Sequence, residues 1–529
     1  MIRKTFFNNP ISCALLSLSV LLTAPAQALV SSSLVQLTDS QNSLNGPIVD
    51  SSSPDISADG STVAFYSNAD LVAGQNSAHV DAIFVMNSDG TGLRQLTLTT
   101  VGDSRDPRLS ADGSVVVFAS SADLISGENP PESIIVYPGT EFEYTEIVRS
   151  YQIFIMNTDG TGIRQLTHGS DGDAENPDIT DDGNTIVFQS SQDLRGENAD
   201  GTVELFVVNA DGTGLMQITA GGPKIAGKRD DASRDAAISA DGSKIAFDSF
   251  ADLTPPLNDD FSDEVFVFDL ASYLADGGVG ALSNYTLQLT DTDIEAPGHV
   301  RAEDAFEASI SADGAWIAFS ACIYPTTNPS LADAIWVIKS DGTSLTQLTF
   351  VNDIRDDSRL PTIAADGSAV TFTSRADLVA GSNLDKNYEL FVASADGSWL
   401  VQATDHVNTA SHGRIRARVS AAGTEMVYPL NANLTGDNPD FNREIFLQSV
   451  VLSVSNPPAG GGDDGRDDDD DNRGDDHAVA VGSDTDDATV SDGAGTFAFA
   501  ELLIALLALT IAISRSTFLN QHSFRKAPL

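Results

Sequence analysis

Two sets of side chains in this sequence could do chemistry, one built from carboxylates and one from cationic groups. Asp200 and Glu204, Asp385 and Glu389, and Asp440 and Glu444 repeat a single four-residue spacing, each pair closing a short run rich in Asn, Asp and Gly. Hard oxygen ligands at close spacing are what calcium prefers, which makes these six the candidate calcium ligands. None of the runs fits a twelve-residue EF-hand loop, and the same side chains also suit capping of their own loop backbone. The second set is Arg229, Arg355, Arg414 and Arg416 with His406 and His412, among them the most basic corner of a strongly acidic chain. Such groups bind carboxylates and other small anions, so they are the candidate ligand-binding residues; ion pairs with the neighbouring Asp residues are the competing use.

The short motifs that mark catalysis are missing. There is no GxSxG nucleophile elbow, and the SADGS turns lack the spacing of a sialidase Asp box. Cys322 stands alone among strand-like residues and reads as a small buried hydrophobe. The expectation is therefore a protein that is not an enzyme, the alternative being a lyase or hydrolase working on a polysaccharide.

What must position these residues is a repeat. A short strand ends in a turn at Asp59-Gly60, Asp112-Gly113, Asp182-Gly183, Asp241-Gly242, Asp313-Gly314 and Asp366-Gly367, with Ala422-Gly423 a degenerate seventh copy. Five residues after each Gly comes an aromatic, from Phe65 through Phe118 and Phe188 to Tyr428. Alternation around it, as in Thr62-Val63-Ala64-Phe65, has the period of a strand. A second aromatic strand and a second turn follow, and the copy closes on LRQLT or a variant of it. Each copy thus offers four antiparallel strands, A to D, with the Asp-Gly pairs expected to form two-residue hairpins. Seven copies with no helical period between them predict an all-β, seven-bladed β-propeller over residues 34–455.

Copy seven has no clear fourth strand. Leu34-Val35-Gln36-Leu37-Thr38 matches strand D and precedes copy one, so it is expected to close the ring; Val450 to Ser455 is the competing candidate. Antiparallel connectivity puts the A–B and C–D turns on one face and the long, charged B–C loops and D–A links on the other. The second face is where function is expected.

At these residues the chain resembles the TolB-type propeller family, whose repeat (of the PD40/WD40-like kind) ends a strand with Ser-Pro-Asp-Gly, continues with Ile-Ala-Phe and closes on Leu-Thr. Here the turn is Ser57-Ala58-Asp59-Gly60 and its copies. The resemblance implies the propeller fold. TolB also carries a mixed α/β domain ahead of its propeller with no counterpart in this sequence, so a part in the Tol–Pal machinery is not implied.

The two ends suggest where the protein works. Arg3 and Lys4, an apolar run from Ile11 to Leu22 and then Ala26-Gln27-Ala28 have the order of a signal peptide spanning 1–28. Residues 456–496 contain GGGDDGRDDDDDNRGDD, a charge block expected to form an extended acidic linker. An apolar run at 497–513 follows, then a basic tail at 514–529, the order of a membrane anchor with its cytoplasmic flank. That order is also similar to sorting signals of the GlyGly-CTERM kind. With 76 acidic against 28 basic residues and a formal charge of -48, nucleic acid is excluded as a partner. The expected protein is exported, periplasmic or at the cell surface, and held by its C-terminal span. It is expected to bind an envelope or extracellular protein, a glycan or a small ligand through the B–C/D–A face, a purely structural surface role being the remaining alternative.

Overall fold

Strands B and C are apolar on both faces because each is sandwiched between neighbouring sheets. In the computed structural model Ala82–Asn87 buries five consecutive side chains, and Gln152–Asn157 and Glu204–Asn209 do the same. The structure describes residues 27–454 apart from 41–47, 131, 137–143, 223–230, 256–257, 259–261, 291–303, 323–331, 352, 354, 406–414 and 437. Within them lie seven four-stranded antiparallel sheets, arranged as the blades of a β-propeller, and one extra two-stranded hairpin, Glu132–Val136 with Tyr144–Val148, in the B–C loop of blade two. Blade one is representative: strand A is Ser51–Ile56, B Thr62–Ser67, C Ala82–Asn87 and D Arg94–Gln95. Blade four adds a short helix, Leu270–Ala275, between strands C and D.

The repeated aromatics meet across strands B and C. Phe65 pairs with Phe84 in register and their rings stack at 5.6 Å; Phe118–Phe154, Phe188–Phe206, Phe247–Phe266 and Phe372–Phe391 repeat the contact. The core is divided accordingly into layers between blades. One layer joins Val63 and Phe65 of blade one to Val427 and Ile445 of blade seven, and others join blades two to three and six to seven in the same way.

The closing QLT of each copy is a clamp. Gln95 Nε2 donates to Thr97 O, and the Thr97 hydroxyl accepts from Ile83 N, tying strand D to strand C. Gln36 and Thr38 make the same two bonds, to Thr38 O and from Ile445 N, so the N-terminal segment occupies the D position of blade seven. Its strand, Gln27–Gln36, pairs with Glu444–Val454 from Gln27↔Val454 to Gln36↔Phe446. The competing segment, Val450 to Ser455, instead lengthens strand C as far as Val454, where the described residues end.

The Asp-Gly turns differ from the two-residue hairpins expected. Gly60 N donates to Ser57 O and Ser57 N to Thr62 O, so the loop is wider, and only the Gly (φ 74°) adopts a left-handed conformation. Asp59 Oδ1 makes the wider turn stable by accepting from Ser57 Oγ and Ser61 N. These turns also bond from blade to blade. Ala58 N donates to Ala111 O, Ala111 N to Asp181 O, Asp181 N to Ala240 O, and Ala421 N back to Ala58 O.

Candidate functional site

Strand A forms the wall of the axial channel, and its irregularity decides which side chains reach the axis. In blades one to six the register with strand B slips in mid-strand, as between Ser52 and Asp55. At the slip stands a non-glycine residue in the left-handed region: Ser53, Asp106, Asn176, Asp235, Glu307 and Leu360. Such a bulge re-aims side chains, and small Asn, Asp and Ser residues tolerate it best. Register equivalence puts Arg416 at this position in blade seven. Two residues further on, blades one, two, three and seven carry Asp55, Arg108, Asp178 and Arg418, and the remaining blades carry Ala, Ser or Thr.

The two positions line a cavity of about 250 Å³ in the half of the channel nearer the B–C and D–A loops and a second of about 190 Å³ beyond it. Tyr66 and Arg443, at the loop ends of strands B and C, complete the upper wall. The upper cavity holds Arg108, Arg416, Arg418 and Arg443 against Asp106, Asp178 and Asp235. A slight positive excess thus lies at the centre of a protein whose formal charge is -48.

These charges are incompletely paired. Asp178 Oδ2 accepts from Ile238 N at 3.0 Å, while its Oδ1 is 4.0 Å from Arg108 Nε, beyond hydrogen-bonding reach. Burial raises the Asp178 pKa above the ordinary carboxylate value against the pull of Arg418 and Arg108. Arg418 is pulled down to about 9, first by burial and then by the like charges of Arg108 and Arg416. Arg108 Nε and Arg416 Nε are buried without a hydrogen-bond partner.

Away from the axis, the arginines of the D–A face lie against carboxylates, although Arg234 Nε and Arg359 Nε also lack a hydrogen bond. Arg105 Nε contacts Asp81 at 3.0 Å, Arg234 Nε lies 3.7 Å from Asp248, and Arg359 bridges Asp333 and Asp357. Their guanidiniums also lie over Tyr151, Phe250 and Phe306. Arg105–Asp81 and Arg359–Asp333 join one blade to the next, whereas Arg234–Asp248 ties strands A and B within blade four. Of the arginines and histidines expected to bind ligand, Arg416 is in the channel wall and Arg355 is on the surface, where it holds Asp353 through two hydrogen bonds at 3.1 and 2.7 Å. Arg229, Arg414, His406 and His412 lie outside the described residues.

The candidate calcium ligands have protein partners. Glu204 accepts from Thr202 Oγ1, Thr219 Oγ1 and Gly221 N at 3.1, 2.5 and 2.7 Å. Glu389 accepts from Thr404 Oγ1, and Glu444 from Thr38 and Ser40. Each thus anchors the threonine of the QLT clamp. Asp200 accepts from Thr202 Oγ1, Asp385 from Asn387 Nδ2, and Asp440 sits in the turn before strand C. The related B–C loops are capped in the same way, Asp70 accepting from Gly74 N and Asn76 N. Among the described residues no group of three His, Cys, Asp or Glu side chains converges. Nor is any described helix long and apolar enough to cross a membrane; the expected signal peptide up to residue 26, the acidic linker and the span at 497–513 lie outside the described residues.

Arg108 and Arg418, which the sequence offers only as two of many D–A link cations, are brought into the channel wall by strand A. The signal available was their place two residues after a bulge-prone Asp106 and its equivalents, just ahead of each SADG turn.

No family model matches the chain, and no curated protein matches it. Solved structures do. An oligogalacturonate lyase from Vibrio parahaemolyticus matches at 10% identity with a TM-score of 0.47, over 80% of this chain and 98% of its own. A putative TolB from Agrobacterium tumefaciens matches at 14% and 0.36, over 68% and 94%. An acylaminoacyl peptidase matches at 11% and 0.43, over 77% and 52%. Two of these three are enzymes, which corrects the expectation that the chain is not one. A propeller offers the same axial pocket and loop face whether these bind or catalyse, so lack of a short motif is no ground for excluding catalysis. At such identities the likeness is one of fold; the seven four-stranded sheets themselves make the chain a seven-bladed β-propeller.

Proposed function

We propose that this protein is an exported, envelope-anchored recognition propeller that takes an anionic or polar partner, whether protein, glycan or small molecule, at the axial mouth of its B–C/D–A face. The observation that carries the reading is the axial cavity, where cationic groups gather in an acidic chain and Arg416 Nε is buried without an acceptor. The leader-like N-terminus and the apolar, basic-flanked C-terminus support export and anchoring. A pull-down from envelope fractions tests it, with Arg416→Ala as the control. Capture by the wild type and loss with the variant are expected; equal capture by both would sink the reading. A second reading, an enzyme acting on an extracellular polymer, is favoured by Tyr66, Asp106 and Arg108, which line the same cavity and could transfer protons or stabilise charge. Incubation with acidic polysaccharides, watched for unsaturated products, separates the two.

A further inference from the structure

Resting on that reading of the axial pocket, we infer that its ligand is a small hydroxylated monocarboxylate, of the sugar-acid class, with its carboxylate seated on Arg108, Arg416 and Arg418. Guanidinium N–H groups withdrawn from solvent ordinarily have acceptors, because leaving one unpaired is costly. Here Arg108 gives one N–H to Pro107 O at 2.8 Å and leaves Nε unpaired, and Arg416 Nε has no acceptor. The two carboxylates that the axis supplies nearby are already partly used, Asp55 accepting from Leu109 N at 2.8 Å and Asp178 from Ile238 N. The depressed pKa of Arg418 has the same origin, since burial and its two cationic neighbours act together. A carboxylate would accept from these guanidiniums in the forked geometry that Arg favours.

Charge limits the ligand further. The upper cavity holds four guanidiniums and three carboxylates, and Asp55 lies just beyond them beside Arg108 and Arg418, so the site suits a ligand with one negative charge better than a polyanion. Asp106 and Asp235, at the bulge positions nearer the mouth, would repel a second negative group. The same two carboxylates, with Ser53 and Asn176, are the short polar groups that accept from and donate to hydroxyls. A cavity of about 250 Å³ admits one sugar-sized ring, free or at the end of a larger partner that stays outside the mouth.

The test is calorimetric titration of the full chain with glucuronate, glucose and inorganic phosphate, repeated on Arg416→Gln, with thermal melts of both proteins as a control for folding. Saturable binding of glucuronate is expected, with glucose weaker by at least ~10-fold because it lacks the charge-assisted contact. Arg416→Gln should cost a similar factor while its unliganded melting temperature stays the same. Failure of glucuronate to bind, equal affinity for glucose, phosphate binding as tightly as glucuronate, or an Arg416→Gln protein that folds and binds normally would each overturn the inference. If the envelope pull-down still depends on Arg416 while glucuronate fails, the sugar-acid assignment falls and the broader reading stands.

Discussion

Glu204, a candidate calcium ligand by its spacing from Asp200, places its oxygens in three hydrogen bonds, and burial pushes its pKa to about 7 from an ordinary 4.5. The native state therefore keeps this proton at pH values where the unfolded chain has released it. The resulting stabilisation is full below about pH 4.5 and is lost as pH rises through 7. Glu204→Gln should flatten the fall in stability between pH 5 and 8 by about 2–3 kcal/mol, read from urea unfolding at the two pH values; identical slopes in both proteins would refute it. Gln152 stands at the equivalent place in blade two and accepts from Thr167 Oγ1 at 2.7 Å, so the fold already tolerates the amide. Arg418 makes the opposite case. Burial and like charge disfavour its cation, so Arg418→Met should raise the melting temperature of the unliganded protein, by about 1–3 kcal/mol in stability, while weakening anion binding. A drop in melting temperature would argue that the arginine is structural. Both roles were hard to read from sequence, because the groups around them, Gly221 for Glu204 and Arg108 and Asp178 for Arg418, come from a link or from other blades.

At the scale of elements, the strand that closes the ring was the most legible, because Gln36-Leu37-Thr38 copies a motif whose physics is local. What the sequence concealed was its length. Gln27 to Leu29 also reads as the end of a leader, yet this stretch pairs with Leu452 to Val454. Strand A was the least legible element, since its axial positions carry a different residue in nearly every blade and present no repeat to recognise. Thr38→Val tests the closing strand: the hydroxyl accepts from Ile445 N and donates to Glu444, and its loss leaves both short of a buried partner. A loss of about 1–3 kcal/mol is expected in chemical denaturation. No measurable loss would mean that the strand contributes little to closure.

For the molecule as a whole, each blade shares its apolar residues with the next, so no blade holds a complete core. Phe65 belongs to the layer between blades one and seven, the junction that the chain can complete only by bringing its two ends together. Phe65→Ala should cost about 3–5 kcal/mol and lower the unfolding midpoint of the entire ring in one transition, with tryptophan fluorescence and far-ultraviolet circular dichroism coinciding. Separate transitions would show that blade one can come away by itself. Blade number and strand order followed from sequence because seven copies repeat the same spacing, whereas the axial site emerges only when strands far apart in the chain are brought around one axis. The long pairing of Gln27–Gln36 with Glu444–Val454 also has a mechanical meaning. Tension directed along Glu444–Val454, with Gln27–Gln36 held to the ring at Gln36, would load their hydrogen bonds together in shear, whereas a pull across the strands would peel them one at a time. From Ser449 inward, strand Glu425–Leu430 shares that load on the other side. The seam that closes the ring is thus also the joint best able to carry a tether.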